Sequence, residues 1–153
     1  MESDLITAAL GPLWSNSGTK SWNLLLAPDR VIAVQYTLAE TFQLAFRFQL
    51  KFWPRDPGEA FRGRVREGLR EADLRRDRTV RRYHAHLLRS IVIQSNSTAN
   101  TITFEKLSGE ADEYAIALRE ETDEYRAVLG EFYPGQYREK DFPVSALGRL
   151  LRK

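Results

Sequence analysis

Residues 21–36, with the sequence SWNLLLAPDRVIAVQY, constrain the fold more than any other part of the chain. They contain two apolar runs, separated by Ala27-Pro28-Asp29-Arg30. Proline sets φ for the second position of a type I turn, and aspartate suits the third position. The segment therefore predicts an antiparallel hairpin. An earlier strand around Leu13 and Trp14 is expected to pair with it.

The composition is that of a globular protein. The chain has 153 residues, of which 42% are hydrophobic and 11% aromatic, and this is enough to bury a core. There is no cysteine, which excludes disulfides and thiolate chemistry. The N-terminal MESDLITAAL carries acids where a secretory signal has basic residues, and no apolar run reaches the ~18 residues of a membrane-spanning helix. We therefore expect one cytoplasmic domain over residues 1–153.

Residues 42–53, FQLAFRFQLKFW, fit two different structures. Apolar residues at every even position match the two-residue period of a strand. A capping box between Thr37 and Glu40, followed by a stop at Trp53-Pro54, favours a helix instead. We predict a helix, with a long edge strand as the alternative. Its polar stripe includes Arg47 and Lys51, and its broad apolar surface is formed by Phe42, Phe46, Phe48, Phe52 and Trp53.

Basic charge is concentrated between Arg55 and Arg89. This segment contains eleven arginines and six acids, a balance of +5, whereas the whole chain has a net charge of +2. Such runs are most often solvated helix faces, but an excess this local also suits an anionic partner.

Helical spacing is the main signal within the basic segment. Phe61, Val65 and Leu69 recur at steps of four, so we predict that residues 58–89 continue as helix, with a break near residues 73–77. Three arginines recur at the same spacing on the neighbouring face and are predicted to form one ridge. They are Arg62, Arg66 and Arg70.

The second half of the chain returns to strands. SIVIQ, TITFEK and YAIALRE are separated by polar turns, which predicts an antiparallel meander over residues 88–118. Residues 122–132 then have the spacing of an amphipathic helix, and a short basic tail at about 134–153 follows. The predicted core consists of Trp22, Leu24, Leu26, Ile32, Val34, Ile93, Ile102, Phe104, Ile116, Leu118, Leu129 and Phe132.

Three stretches carry a resemblance to a known family: WNLLLAPDRVIAV, HLLRSIVIQSNSTANTITFEK and YAIALREETDEYRAVLGEF. In this order they resemble the bacterial members of the pleckstrin-homology (PH) and GRAM-like superfold. The resemblance implies an α+β fold, with a bent antiparallel sheet or small, partly open barrel that a C-terminal helix caps. The superfold has no invariant catalytic residue. The sequence departs from it by a helical insert after the first hairpin, at about 37–88, which is long for the superfold.

Motifs for catalysis or metal binding are not found in the sequence. His84-Ala85-His86 offers two imidazoles, but no third ligand is apparent nearby. The nine glycines form no phosphate-binding loop, and no nucleophile elbow is present. We therefore expect neither an enzyme nor a metal, a cofactor or a small-molecule substrate.

The remaining function classes concern binding. The first hypothesis is a non-catalytic interaction module, whose insert binds a protein partner, a second copy or an anionic membrane surface. Its anionic-partner residues are expected to be Arg62, Arg66, Arg70, Arg47 and Lys51. The alternative is nucleic-acid binding through residues 55–89, although interleaved acids oppose it. A third hypothesis is purely structural, with the arginines facing water.

Overall fold

The computed structural model describes residues 5–15, 20–40, 57–74, 78–95 and 99–141. The chain divides into two compact units, Met1–His84 and Ala85–Lys153. Each unit combines strands with a helix, and all but one of the described strand pairings in the two units are antiparallel. The prediction of an α+β fold built on antiparallel strands is therefore confirmed. The prediction of a single domain stays a prediction.

The N-terminal unit contains four described strands and a ten-residue helix. They are β1 (Ala8–Ser15), β2 (Ser21–Ala27), β3 (Arg30–Gln35), helix α1 (Pro57–Arg66) and β4 (Val80–His84). The strand order is β4-β3-β2-β1, and all neighbours are antiparallel. Ala27 pairs with Arg30 across the Pro28-Asp29 turn, so the predicted hairpin is confirmed. The earlier strand predicted around Leu13 and Trp14 is β1, and it pairs with β2.

Helix α1 covers one face of this sheet. Phe61 and Leu69 are buried there against residues that alternate along β2 and β3. Burial of apolar area is the main force that holds such a helix on a sheet, because a helix of this length is marginal by itself. The buried members of the cluster are Ile6, Ala9, Leu25, Ala27, Ile32, Val34, Tyr36, Phe61 and Leu69.

The C-terminal unit is a meander followed by a helix and a last strand. Its elements are β5 (Leu88–Ser95), β6 (Thr101–Lys106), β7 (Ala111–Ile116), α2 (Thr122–Phe132) and β8 (Tyr137–Asp141). The order is β7-β6-β5-β8, with β8 parallel to β5. The predicted meander and the helix at 122–132 are confirmed, although β7 begins earlier than the predicted strand.

The predicted core is largely observed within the two units. Ten of the twelve predicted residues are buried, from Trp22 in β2 to Leu129 in α2. The exceptions, Leu118 and Phe132, are half-buried. In each unit the strand order ends at two different strands, so neither four-stranded sheet closes on itself into a barrel.

Two strands were not predicted. The helix that we expected to continue from residue 58 to residue 89 ends at Arg66, and Val80–His84 is strand β4 rather than helix. Arginines and a histidine hide the alternation of β4, and pairing with β3 decides its structure. Strand β8 lies within the stretch at about 134–153 that was expected to be only a short basic tail. The predicted helix at 42–53 lies outside the described residues.

Candidate anion-binding surface

The end of α1 determines where the predicted arginine ridge breaks. Gly68 adopts φ of 95°, which only glycine tolerates without strain. Its N–H donates to the Val65 carbonyl at 3.0 Å, and the Leu69 N–H donates to the Arg64 carbonyl at 3.0 Å. This is a Schellman motif, so the chain leaves the helix axis at Gly68. Arg70 follows in extended backbone. The single helical ridge predicted for Arg62, Arg66 and Arg70 is therefore wrong.

The three predicted arginines have different surroundings. Arg62 donates to Glu59 at 2.7 Å, and its side chain is 18% exposed. Arg66 and Arg70 are exposed, and neither guanidinium binds a carboxylate among the described residues. Arg66 lies in the last turn of α1, where positive charge complements the partial negative charge of the helix end.

A shallow depression of about 270 Å³ lies beside this helix end. Two acids, Glu67 and Asp73, line it together with Arg64. The Asp73 carboxylate accepts the backbone N–H of Arg70 at 3.0 Å. Because of these acids and the helix carbonyls, the depression itself does not favour an anion. Any anionic partner must bind the outward-facing guanidinium groups instead.

Arg78 forms a largely buried ion pair with Glu40. Its two Nη atoms donate to the Glu40 carboxylate at 2.6 and 2.9 Å. The Arg78 guanidinium also lies 5.3 Å from the centre of the Phe61 ring, which in turn stacks on Tyr36. The side chains of Arg78 and Glu40 are only 8% and 19% exposed. This arginine is therefore a structural residue and is closed to a partner.

Glu40 also closes the capping box that the sequence predicts. Its carboxylate accepts the Thr37 N–H at 2.8 Å, and the Thr37 hydroxyl accepts the Glu40 N–H at 3.3 Å. Burial alone raises the pKa of Glu40, but the hydrogen bonds from Arg78 and Thr37 and the positive charge of Arg78 lower that pKa below its ordinary value. Glu40 therefore stays ionised.

A second carboxylate, Glu71, binds two arginines of the sheet. Arg30 Nη2 donates to it at 3.2 Å and Arg82 Nε at 2.7 Å, while Arg30 Nη1 bonds Asp29 at 2.7 Å. Burial raises the pKa of Glu71, but these hydrogen bonds and charges outweigh burial and lower it. Arg82 keeps 49% of its side chain exposed, whereas Arg30 is buried.

The arginines of residues 57–74 and 78–95 therefore differ in whether their guanidinium groups are available to bind a partner. Acids or aromatic rings engage Arg62, Arg64, Arg78, Arg81 and Arg82. Exposed arginines without a described carboxylate partner are Arg66, Arg70 and Arg89. Glu40 and Glu71 were missed as partners of these arginines, because Glu40 lies 38 residues from Arg78 and Glu71 lies 41 from Arg30. Only the capping-box spacing singled out Glu40.

The other predicted site residues are Arg47, Lys51, Phe42, Phe46, Phe48, Phe52 and Trp53, and all lie outside the described residues. His84 and His86 do not share one element, since β4 ends at His84 and His86 lies in the following 3-10 turn. In the described ranges, no group of three or more histidine, aspartate or glutamate side chains is arranged to hold a metal ion.

No model of a known protein family matches the chain, and no curated protein matches it significantly. Among the helices in the described part of the chain, none is long and apolar enough to cross a membrane.

Proposed function

We propose that the chain is a non-catalytic interaction module that binds an anionic partner through its arginine-rich insert. The observation that carries this proposal is the exposure of Arg66 and Arg70, which bind no carboxylate among the described residues. Arg62, which has the same spacing in sequence, is neutralised by Glu59. Because arginine offers several donors in a planar fork, an unpaired exposed guanidinium can bind carboxylate or phosphate groups.

The order of elements supports a PH-like or GRAM-like architecture as part of the same proposal. A four-stranded antiparallel sheet is followed along the chain by a three-stranded meander and then by α2. The resemblance implies antiparallel sheets with a closing C-terminal helix. Helix α1 and the residues around it then form the insert between β3 and β4. Strand β8 is an addition that the resemblance does not include.

The proposal includes the apolar residues of 42–53, which lie outside the described residues, as a second interaction segment. Self-association through that segment is testable by sedimentation, in which a mass that rises with concentration supports it. A strict monomer at high concentration contradicts it. Nucleic-acid binding through residues 55–89 is the rival. The six interleaved acids oppose this rival, and Arg78 is held in a largely buried ion pair with Glu40.

A panel of anionic probes tests the proposal. We would measure binding to phosphatidylcholine vesicles with and without phosphatidylserine, to polyglutamate, and to duplex DNA over a range of salt concentrations. The variant Arg66→Glu/Arg70→Glu is expected to lose binding to the anionic probe. If DNA is the only probe that binds, and its affinity falls steeply with salt concentration, the result favours nucleic-acid binding through residues 55–89.

A matched charge control comes from the C-terminal unit. Arg138→Glu/Lys140→Glu makes the same change of net charge at two exposed positions of β8. Binding that this control retains and that the Arg66→Glu/Arg70→Glu variant loses supports the proposal. Equal losses in both variants, or no binding to any anionic probe, reject it.

A further inference from the structure

Strand β4 forms one edge of the N-terminal sheet, since β3 is its neighbour and it ends the strand order. The pairing runs from Arg30↔His84 to Val34↔Val80 without a bulge. A regular edge strand exposes a row of backbone donors and acceptors, and another extended segment can pair with them.

The hydrogen-bond pattern identifies the outward-facing backbone groups of β4. The Gln35 N–H donates to the Thr79 carbonyl at 2.9 Å. Residues of an antiparallel ladder alternate between those that bond to the neighbouring strand and those that point away from it. Counting from Thr79, the N–H and C=O groups of Val80 and Arg82 point away from β3. No described residue hydrogen-bonds to these backbone groups.

The charged side chains of β4 itself are basic, and the acid beside them is Glu71, which binds Arg82 and Arg30. The sequence from Arg78 to Phe104 contains no aspartate and no glutamate. Arg82 bonds Glu71 through Nε alone among the described contacts, and about half of its side chain remains exposed. Its two Nη atoms are thus able to bind a carboxylate on an added strand.

A second copy of the chain does not fit this edge. Antiparallel pairing of two β4 strands centred on Arg82, which faces outward, places Arg82 of one copy directly across from Arg82 of the other. Like charges directly opposite each other destabilise a sheet. These arginines therefore disfavour self-pairing and favour a partner with carboxylates.

We propose that the outer edge of β4 binds an extended, acidic polypeptide segment as an added strand. Its backbone pairs with the outward N–H and C=O groups of Val80 and Arg82. A carboxylate opposite Arg82 binds the exposed Nη atoms. This inference rests on the proposed function, because it names the chemical class of the anionic partner and adds a binding edge to the exposed arginines.

Synthetic peptides test the inference on the full chain. The first probe alternates glutamate with threonine and valine. The second has the same sequence with every backbone nitrogen methylated, so it keeps the charge but has no N–H group left to donate to a ladder. We expect the methylated peptide to bind about tenfold more weakly. Hydrogen exchange at the Val80 and Arg82 amides should slow when the first peptide binds, whereas exchange in β8 should not change.

A variant pair adds a side-chain test. Arg82→Gln is expected to weaken binding of the glutamate peptide by several fold. Arg138→Gln in β8 removes the same charge from an edge strand of the C-terminal unit and is expected to have no effect. Because Arg82→Gln also removes one partner of Glu71, retention of the fold is checked by circular dichroism. If that variant unfolds, the slowed exchange of the Val80 and Arg82 amides in the unmodified chain still decides whether a strand is added.

The outcomes separate this inference from the proposed function. Tighter binding of the unmethylated peptide with protection of Val80 and Arg82 supports both. Equal binding of the two peptides, or binding of anionic vesicles without binding of either peptide, overturns strand addition and leaves the proposed function intact, whereas binding of DNA alone overturns both. Failure of every anionic probe overturns both.

Discussion

Strands β2 and β6 are both central in the sheets of their units, but their surroundings differ. Every residue of β2 is buried, whereas buried and half-buried residues alternate in the first four positions of β6. The sheet of the N-terminal unit thus has no solvent-facing side at β2, while the sheet of the C-terminal unit packs only one face at β6. In a strand with two buried faces a polar side chain is stabilised by a hydrogen-bond partner, as Asn23 is by the Tyr36 hydroxyl, which donates to it at 2.9 Å.

Alanine substitutions at neighbouring positions should give the largest contrast. Leu24→Ala and Leu25→Ala remove buried side chains from opposite faces of β2, so each should cost about 2–5 kcal/mol. In β6, Phe104→Ala should cost about 3–5 kcal/mol, whereas Thr103→Ala should cost less than about 0.5 kcal/mol. Urea unfolding measures these differences. A small cost at either leucine contradicts the two-sided burial of β2.

Ion pairs offer the next test of the comparison. In the N-terminal unit, Arg78→Ala leaves the half-buried Glu40 without its main partner and should cost about 2–3 kcal/mol. In the C-terminal unit, the Arg126–Glu139 pair is more exposed, at 33% and 55%, and Arg126→Ala should cost less than about 1 kcal/mol.

Tryptophan fluorescence can follow the first of these variants, since all three tryptophans of the chain precede His84. Hydrogen exchange in β6 reports on the second. Equal losses of stability would mean that burial does not distinguish the two ion pairs.

Two glycines should behave alike in both units. Gly68 and Gly109 have φ of 95° and 98°, and a Cβ at either position would meet no atom within 4 Å. Gly68→Ala and Gly109→Ala should each cost about 1–2 kcal/mol through backbone strain alone. Thermal unfolding would test this. A much larger loss at Gly68 would show that the end of α1 also depends on packing.

The two units should respond to opposite extremes of pH. The pKa values of Glu40 and Glu71 are lowered from an ordinary 4.5, so their stabilisation is present above that value and is lost as pH falls through the lowered pKa values. The pKa of Tyr137 is raised from an ordinary 10.0, first by burial and then by its hydrogen bond to Glu139. The contribution of Tyr137 to the free energy of unfolding is therefore fully present below pH 10.0 and is lost as the pH rises towards the raised pKa.

We expect these pH effects to be the smallest of the contrasts, because water reaches all three groups. Fluorescence should change first in acid, and exchange of the β8 amides should change first in alkali. Glu40→Gln/Glu71→Gln should reduce the acid sensitivity at some cost in stability at neutral pH. An unchanged acid transition in that variant would contradict the roles of the two carboxylates.

The sequence predicted the apolar face of α1 and the arginines beside it, but not the partners of those arginines. Helical spacing correctly placed Phe61 in the apolar face of α1 and identified Arg62 and Arg66 as its charged neighbours. The spacing did not show that Gly68 would end the helix, because a glycine inside a helical pattern has no fixed consequence. Nor did it show that Arg62 would be neutralised while Arg66 would not.

The sequence by itself determined the local elements. The Pro28-Asp29 turn, the capping box of Thr37 and Glu40, the meander and helix α2 all follow from residues close together in the chain. In each case the decisive interaction spans only a few residues, or the apolar pattern has one clear period. Such signals need no knowledge of distant neighbours.

The tertiary structure alone decided β4, β8 and the partners of the arginines. Strand β4 forms because β3 offers backbone groups to pair with, although VRRYH lacks a strand pattern. Strand β8 forms for the same reason beside β5, although its residues are charged. Glu40 and Glu71 reach arginines far away in sequence because the folded sheet brings them together. Backbone pairing and long-range charge contacts depend on position in space, which the local pattern of residues does not encode.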